Sequence, residues 1–416
     1  MSKTISATRI DPQARTPTLP AVPVAATTSL QPRRLRQFER DSTNASALAP
    51  TTTLITGATG FIGGACAVEA LAAGRVDELL FLVRAASAAE GLQRVRQSLL
   101  RFAPPGPLLE RLSERQIVLG DLADVDGFAA DPRLDRVTHV LNCAAVASFG
   151  DHPGIWPVNV VGTVAFARRM ARDKRLRRFV HIGTAMACGT GMVSPVVEAG
   201  LSDAEARHLV PYTESKAEAE RQMRTIENLP LVVARPSIVV GHTQLGCKPS
   251  TSIFWVFRMA HDLGHWMCDL DETVDVVPVD YCARALLLLL FKPQIANDLY
   301  HISAGGGSAT FREIEKAMAE ARGIPSLGSN FRHISEQDIP SIVPEFKARL
   351  GICNRRLVVK AMKLYGGFAR LNYQFDNQRL IAEGLAPPPS FPGYIRQCIA
   401  STEGLSLLDQ MMDDFK

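Results

Sequence analysis

The chain has 416 residues, 46% of them hydrophobic and 21% charged, with eight cysteines and a formal net charge of +4. That length buries a sizeable core, and this balance describes an ordinary globular α/β chain with an elaboration. Seven basic and three acidic residues in the first fifty account for the net charge, so the near-neutral remainder argues against a general nucleic-acid surface; no apolar run reaches the ~20 residues that span a bilayer, and scattered cysteines without a C-x-x-C pair fit a reducing cytoplasmic setting and no structural metal.

Residues 1–48 are rich in Pro, Thr, Ser and Ala without apolar periodicity and read as a disordered leader; its basic, acid-poor character also resembles an organelle transit peptide. A buried strand is expected over Thr51 to Thr56, then a glycine-rich turn, then a helix from about Phe61. Gly57, Gly60 and Gly63 are spaced G-x-x-G-x-x-G: Gly57 permits the tight turn, Gly60 lets backbone approach a pyrophosphate, and Gly63 lets the helix pack on the sheet. Phosphates would sit on the free N–H groups and positive dipole of that helix. A second strand, Glu78 to Val83, ends in Arg84, where binders of the non-phosphorylated dinucleotide place an acid for the ribose hydroxyls. A guanidinium there suits a 2′-phosphate, so NADPH is the expected cofactor.

Ser87 to Phe102 has helical apolar spacing, with strands over Gln116 to Leu119, Val137 to Cys143, Phe179 to Thr184 and Leu231 to Arg235. Helices are expected over Ile155 to Ala171 and Pro211 to Glu227. This βαβ succession predicts a Rossmann-like, doubly wound parallel sheet, whose ligands bind at the carboxyl ends of the strands. Gly57, Arg84, Asp121, Ala144, Thr184 and Pro236 all fall there. Beyond Gly241 the pattern loosens: an aromatic-rich helix over Ser252 to Met267, short strands over Val274 to Val279 and Leu299 to Ser303, and a helix over Val279 to Phe291 between them. The expected division is a leader (1–48), an NADP-binding domain (49–245, completed by about 273–305) and a smaller, mostly helical C-terminal substrate lobe (246–272 and 306–416).

The chemistry is carried by Tyr212 and Lys216, four apart on one helix and so on one face. An ammonium beside a phenol favours phenolate, lowering the tyrosine toward a useful proton donor to a carbonyl oxygen receiving hydride. Lys216 can also hold the nicotinamide ribose, and a hydroxyl at Thr184 can meet the developing oxyanion.

These residues resemble an extended short-chain dehydrogenase/reductase. Within that group the chain is most similar to thioester reductases: the terminal reductase domains of carboxylic acid reductases and non-ribosomal peptide synthetases, and fatty acyl-CoA reductases. The resemblance rests on Thr56 to Gly63, Leu82-Val-Arg-Ala85, Gly120-Asp-Leu122, Asn142-Cys-Ala-Ala145, Asn159 to Thr163, Tyr212 to Lys216 and Arg235-Pro-Ser-Ile-Val239. It implies NADPH along Gly57, Thr59, Gly60, Phe61, Ile62, Gly63 and Arg84, with Asp121 and Leu122 near the adenine. It further implies Cys143, Ala144, Ala145, Pro236 and Ile238 on the dinucleotide, Thr184, Tyr212 and Lys216 as the catalytic set, and Asn159 as their helix-borne support. The implied reaction is reduction of an acyl thioester to an aldehyde and possibly on to an alcohol. The adenylation and carrier domains of carboxylic acid reductases have no counterpart here, and only about 110 residues follow the core, fewer than in most fatty acyl-CoA reductases. A stand-alone reductase is therefore expected, its acyl donor arriving on coenzyme A or a separate carrier protein. The competing readings are an extended reductase or epimerase of a ketone, aldehyde or nucleotide-sugar, against which Arg84 speaks, and a non-catalytic NADP-binding scaffold.

Three further signals read as structural, and a fourth stays open. His261 and His265 with Cys268 and Asp262 lack further ligands for zinc. The basic run Arg168 to Arg178 reads as a solvated face, with a docking surface as its alternative. Cys143 and Cys188 read as small packing residues rather than acyl nucleophiles. Phe254, Trp255, Phe257 and Trp266 fit lobe packing and an acyl tunnel equally.

Overall fold

The computed structural model describes residues 51–201 and 206–414, and the leader read over 1–48 falls outside them. Short apolar runs set the frame: β1 (Thr53–Thr56), β2 (Leu79–Val83), β3 (Ile117–Leu119), β4 (His139–Asn142), β5 (Arg178–Ile182), β6 (Leu231–Pro236) and β7 (Leu299–Ile302). They pair in parallel in the order β3-β2-β1-β4-β5-β6-β7. Every residue of β1, β2, β6 and β7 is buried, which is why these strands read as continuous apolar runs and not as alternating ones.

Among the described residues the longer helices around the sheet and its elaboration are α1 (Phe61–Ala72), α2 (Ala88–Leu99), α3 (Thr163–Ala171), α4 (Pro211–Met223), α5 (Phe254–Leu263), α6 (Val279–Phe291), α7 (Phe311–Arg322), α8 (Arg355–Ala369), α9 (Phe391–Ser401) and α10 (Leu407–Asp414), besides shorter helices and turns. Successive strand residues point to opposite faces, so Ile55 joins a core with Leu71 of α1, Val95 of α2 and Leu289 of α6, while Leu54 joins one with Phe166 and Met170 of α3 and Met223 of α4. Strand order reverses between β1 and β4, with Thr56 opposite Asn142 and Asn142 opposite His181. A crevice at such a reversal is where α/β sheets take their ligands.

Several expected boundaries move. Thr184 lies beyond β5, as the N-cap of a 3-10 turn over Ala185–Cys188, and Cys143 lies beyond β4. The helix expected from Ile155 carries a π-helical turn, Pro157–Gly162, before α3. A side chain at Gly162 would put its Cβ 1.7 Å from the Leu122 carbonyl oxygen, so glycine lets this turn close onto the β3 loop. The strand expected over Val274 to Val279 divides at Asp275, whose buried carboxylate accepts the N–H groups of Ala304 and Phe375 (2.7 and 3.1 Å). Thr273–Val274 then pairs antiparallel with Ala309–Thr310, and Val276–Val277 parallel with Ile238–Val239. The helix expected to run to Met267 stops at Leu263, with Gly264 at positive φ, and His265–Trp266 pairs with Arg332–His333.

The C-terminal region builds two further cores. Trp255, Met259, Phe346, Met362, Tyr365 and Met411 form one, and Phe254, Phe257, Ile314, Phe391, Tyr394 and Cys398 the other. Phe254, Trp255, Phe257 and Trp266 are all buried, so these four aromatics are packing residues.

Candidate active site

The β1–α1 turn is fixed by two of its three glycines. Gly57 has φ +69°, and a Cβ there would stand 2.7 Å from the Ala144 nitrogen. A Cβ on Gly63 would stand 2.3 Å from the Gly57 carbonyl oxygen. Gly60 differs: it is exposed, and its nearest neighbour for a Cβ is that same carbonyl at 3.2 Å. Folding therefore demands the first and third glycines, while the second keeps the outer side of the turn bare. Gly60 is the N-cap of α1, with no side-chain cap and no acidic residue in the first turn. The free N–H groups of Phe61, Ile62 and Gly63 thus retain the donors and positive dipole that a pyrophosphate fits. Thr59 and Phe61 flank this turn, half-buried.

A polar chain crosses the strand ends beside it. Thr56 Oγ1 donates to Asn142 Oδ1 (2.7 Å) and accepts the Ala144 N–H (3.0 Å), and Asn142 Nδ2 lies 3.1 Å from His181 Nδ1. All three side chains are wholly buried. Burial, reinforced by the charge of Lys216, holds His181 neutral, well below the usual imidazole range. This chain ties β1, β4 and β5 together and sets the Cys143–Ala145 segment against the glycine turn. Thr56 and Asn142 stand inside the recognised motifs, but their partnership joins residues 86 apart; sequence carried no signal for His181 as the third member.

Asn159, 1% exposed in the π-helical turn, is a clamp. Its Oδ1 accepts the Val146 N–H (2.8 Å), and its Nδ2 donates to the Val146 carbonyl (3.0 Å) and to Ser215 Oγ (3.1 Å). Ser215 in turn donates to the Tyr212 carbonyl (2.7 Å). Asn159 thus joins the segment after β4 to the helix of Tyr212 and Lys216. Below them a buried ion pair anchors α4 to β6: Arg235 donates to both Glu220 oxygens (2.9 and 2.8 Å), and Arg224 adds a third contact (3.0 Å).

Tyr212 and Lys216 occupy the first turns of α4, after Pro211 at its start. Tyr212 is half-buried against Phe149, ring centroids 5.7 Å apart, and Phe149 also meets Tyr365 (5.7 Å) and Phe368 (5.5 Å) of α8. Lys216 is 2% exposed, and no carboxylate lies within 4 Å of it among the described residues. Burial lowers its ammonium to about 8 and pushes the Tyr212 phenol up to about 12. This corrects the expectation that Lys216 lowers the tyrosine: removal from water penalises both charged forms and is the only cause acting on the phenol. Thr184 is half-buried in the turn packed between α4 and β6; its Oγ1 accepts the Met186 N–H (3.3 Å) and keeps its own hydrogen to donate.

Around this centre, Pro236 closes β6 and Ile238 follows it, half-buried. Arg84, 70% exposed in its side chain, has Asp121 Oδ2 at 3.8 Å, so a carboxylate does stand near the guanidinium in space although none follows it in sequence. Leu122 turns its side chain into the core. Cys143 is half-buried, and burial pushes the neighbouring Cys66 thiol well up. His261 binds Arg322 (2.9 Å) and His265 the Leu263 carbonyl (2.7 Å); no metal-holding group exists among the described residues. The run Arg168 to Arg178 leads into the amino end of β5, with Arg169 tied to Asp135 and Arg178 to the Leu289 carbonyl.

Residues 55–286 match the NAD-binding family described as Male sterility protein. Aldehyde reductase lnaA of Aspergillus flavus is 25% identical over 273 residues, which are 60% of this chain and 25% of that protein. Fatty acyl-CoA reductase wat of Drosophila melanogaster is 26% identical over 278 residues, 56% of this chain and 52% of that one. The chain thus spans about a quarter and about half of these relatives. The terminal R domain from the myxalamid PKS-NRPS biosynthetic pathway superposes with a TM-score of 0.69 at 20% identity, covering 86% of this chain and 91% of that domain.

Proposed function

The chain belongs to the NAD-binding family described as Male sterility protein, and from that premise we propose that it is an NADPH-dependent reductase of acyl thioesters. The observation that carries the reading is the Asn159–Ser215 bond, which couples the segment beside the glycine turn to the helix of Tyr212 and Lys216. It brings a dinucleotide cradle and a proton donor under one mechanical control.

The nicotinamide, when bound, supplies the hydride. The chain's own residues do the rest. Gly57 to Gly63 and the α1 N-terminus would hold the pyrophosphate, and Arg84 would take the 2′-phosphate. The Arg84–Asp121 pair is exposed and 3.8 Å apart, worth about 0–1 kcal/mol, so it would oppose a 2′-phosphate only weakly. Thr184 and Tyr212 donate hydrogen bonds to the thioester oxygen and stabilise the charge that grows there. Tyr212, held neutral by burial, gives its proton to that oxygen, and Lys216 would hold the nicotinamide ribose. The hemithioacetal then collapses: its hydroxyl proton returns to the Tyr212 phenolate, the carbon–sulfur bond breaks, the thiolate leaves and takes a proton from solvent, and an aldehyde forms. A second reduction of that aldehyde gives an alcohol.

The name of the lnaA relative favours a second reading, in which only aldehydes are reduced. An acyl-CoA offered with NADPH separates the two. The thioester reading expects free thiol to appear with NADPH oxidation; turnover confined to aldehydes, ketones or sugars rejects it. Arg84→Asp should lower the NADPH-over-NADH preference about 10- to 100-fold in kcat/KM; an unchanged ratio removes Arg84 from cofactor choice.

A further inference from the structure

His181 carries a buried donor that neither the polar chain nor the reaction uses. The side chain is wholly buried, and its Nε2 meets no hydrogen-bond partner among the described residues. The hydrogen-bond network fixes its tautomer. Thr56 Oγ1 accepts the Ala144 N–H, and its own hydrogen goes to Asn142 Oδ1. That leaves Asn142 Nδ2, which can only donate, 3.1 Å from His181 Nδ1. Nδ1 therefore accepts, and in the neutral ring the hydrogen sits on Nε2.

Strand and helix periods show what this N–H faces. Residues of β5 alternate between the sheet faces, so His181 shares a face with Phe179, which packs in one core with Ala219 and Met223 of α4. Lys216 precedes Ala219 by three residues on the same side of α4, about 4.5 Å toward its amino end. His181 follows Phe179 by two residues, about 6.6 Å toward the carboxyl end of β5. The two displacements run the same way, because α4 packs on the turn Ala185–Cys188 that leaves that end of β5. The lysine thus lies over the histidine, and its charge reaches the ring. Cys143 also stands near Lys216, and Tyr212 lies one turn before it. Glu220, one turn beyond, is taken up by Arg224 and Arg235.

We propose that His181 is a positioning residue acting through Lys216: its Nε2–H turns the lysine ammonium outward to the dinucleotide and takes the neutral amine as its own acceptor. An ammonium has three hydrogens and no lone pair, so it cannot accept from Nε2–H and must seek its acceptors on the other side, where ribose hydroxyls would stand. An amine has a lone pair. A buried donor without an acceptor is costly, so on losing its proton to solvent the lysine is drawn onto His181 and off the ribose. Burial remains the larger cause of the lowered ammonium, and the donor adds to it. The inference rests on the reading that Lys216 serves the dinucleotide, and it adds what decides the position of that side chain.

The test uses the full chain, isotope-labelled at lysine Cε and at the histidine ring nitrogens and read by NMR. Lys216→Met identifies the lysine signal. His181→Asn keeps an acceptor for Asn142 and drops the Nε2–H, whereas His181→Gln extends an amide N–H toward the place of Nε2. In the wild type the His181 signal should be that of the neutral ring with hydrogen on Nε2; a ring protonated on Nδ1, or charged at pH 7, overturns the proposal without any variant. The Lys216 midpoint should rise by about one pH unit in His181→Asn and stay within about 0.3 of wild type in His181→Gln. The alkaline loss of NADPH affinity should move with it. A merely structural role would weaken NADPH binding at every pH and leave the midpoint in place. An unmoved or lowered midpoint in His181→Asn, or an equal rise in both variants, overturns the assignment. The expected midpoints in a protein that binds no NADPH would leave His181 standing and reject the reductase reading instead.

Discussion

Burial lowers Lys216 to about 8 and thereby sets both its chemistry and its cost. Between that value and the ordinary 10.5 the unfolded chain keeps the lysine proton and the folded one does not. The buried ammonium therefore destabilises the fold below pH 8, and the penalty fades as pH rises toward 10.5. Lys216→Met should stabilise the protein at pH 7 by about 1–3 kcal/mol, seen as a raised Tm, while abolishing turnover; a lowered Tm would mean that the ammonium has a buried partner. In the wild type, kcat/KM for NADPH should fall on an alkaline limb near pH 8, and a profile flat to pH 10 would contradict a role for the charged lysine. The Tyr212–Lys216 spacing was legible because it lies within one helical turn. The direction of the tyrosine shift was not, because it depends on the Phe149 wall, brought from a distant loop.

Glycines show at the scale of elements how packing and function separate within one motif. The first and third glycines of the β1–α1 turn, and Gly162 of the π-helical turn, each face backbone that a Cβ would strike. A Cβ on Gly60 meets the Gly57 carbonyl only at 3.2 Å, which a shift of a few tenths of an ångström relieves, so Gly60→Ala should cost about 1 kcal/mol or less and raise the Kd for NADPH about tenfold, while Gly162→Ala should cost about 4 kcal/mol or more. Equal damage to stability by both would refute the division. The glycine turn and the βαβ order were legible because strand, turn and helix signals are local. The π-helical turn and the split at Asp275 were not, since each answers to a remote backbone group: the Leu122 carbonyl in one case, the Ala304 and Phe375 amides in the other.

Across the molecule, buried histidines set the response to acid. Desolvation holds His139 at about 4 and His301 at about 3, and His181 well below its ordinary range. The unfolded chain takes up these protons below about pH 6.5 and the folded chain does not, so stability falls with acidification from there to about 4. Glu198 acts oppositely: burial raises its carboxyl to about 7, so the folded chain gains its proton first and is favoured between pH 7 and 4.5. His208 and His242 are lowered by burial as well, while Asp275 is raised alongside Glu198, so the histidines outnumber the raised carboxyls and Tm should fall from pH 7 to pH 5; a rise would show that the raised carboxyls outweigh the histidines.

The account turns on whether the phenol of residue 212 serves the reduction of a thioester. Single-turnover thiol release from an acyl-pantetheine by the NADPH-loaded protein, compared with its Tyr212→Phe variant, measures this most directly. The expected result is release in step with NADPH oxidation in the wild type, slowed about 10²- to 10⁴-fold in the variant at an NADPH affinity within about twofold. Release at the wild-type rate in the variant, or none from the wild type, would contradict it.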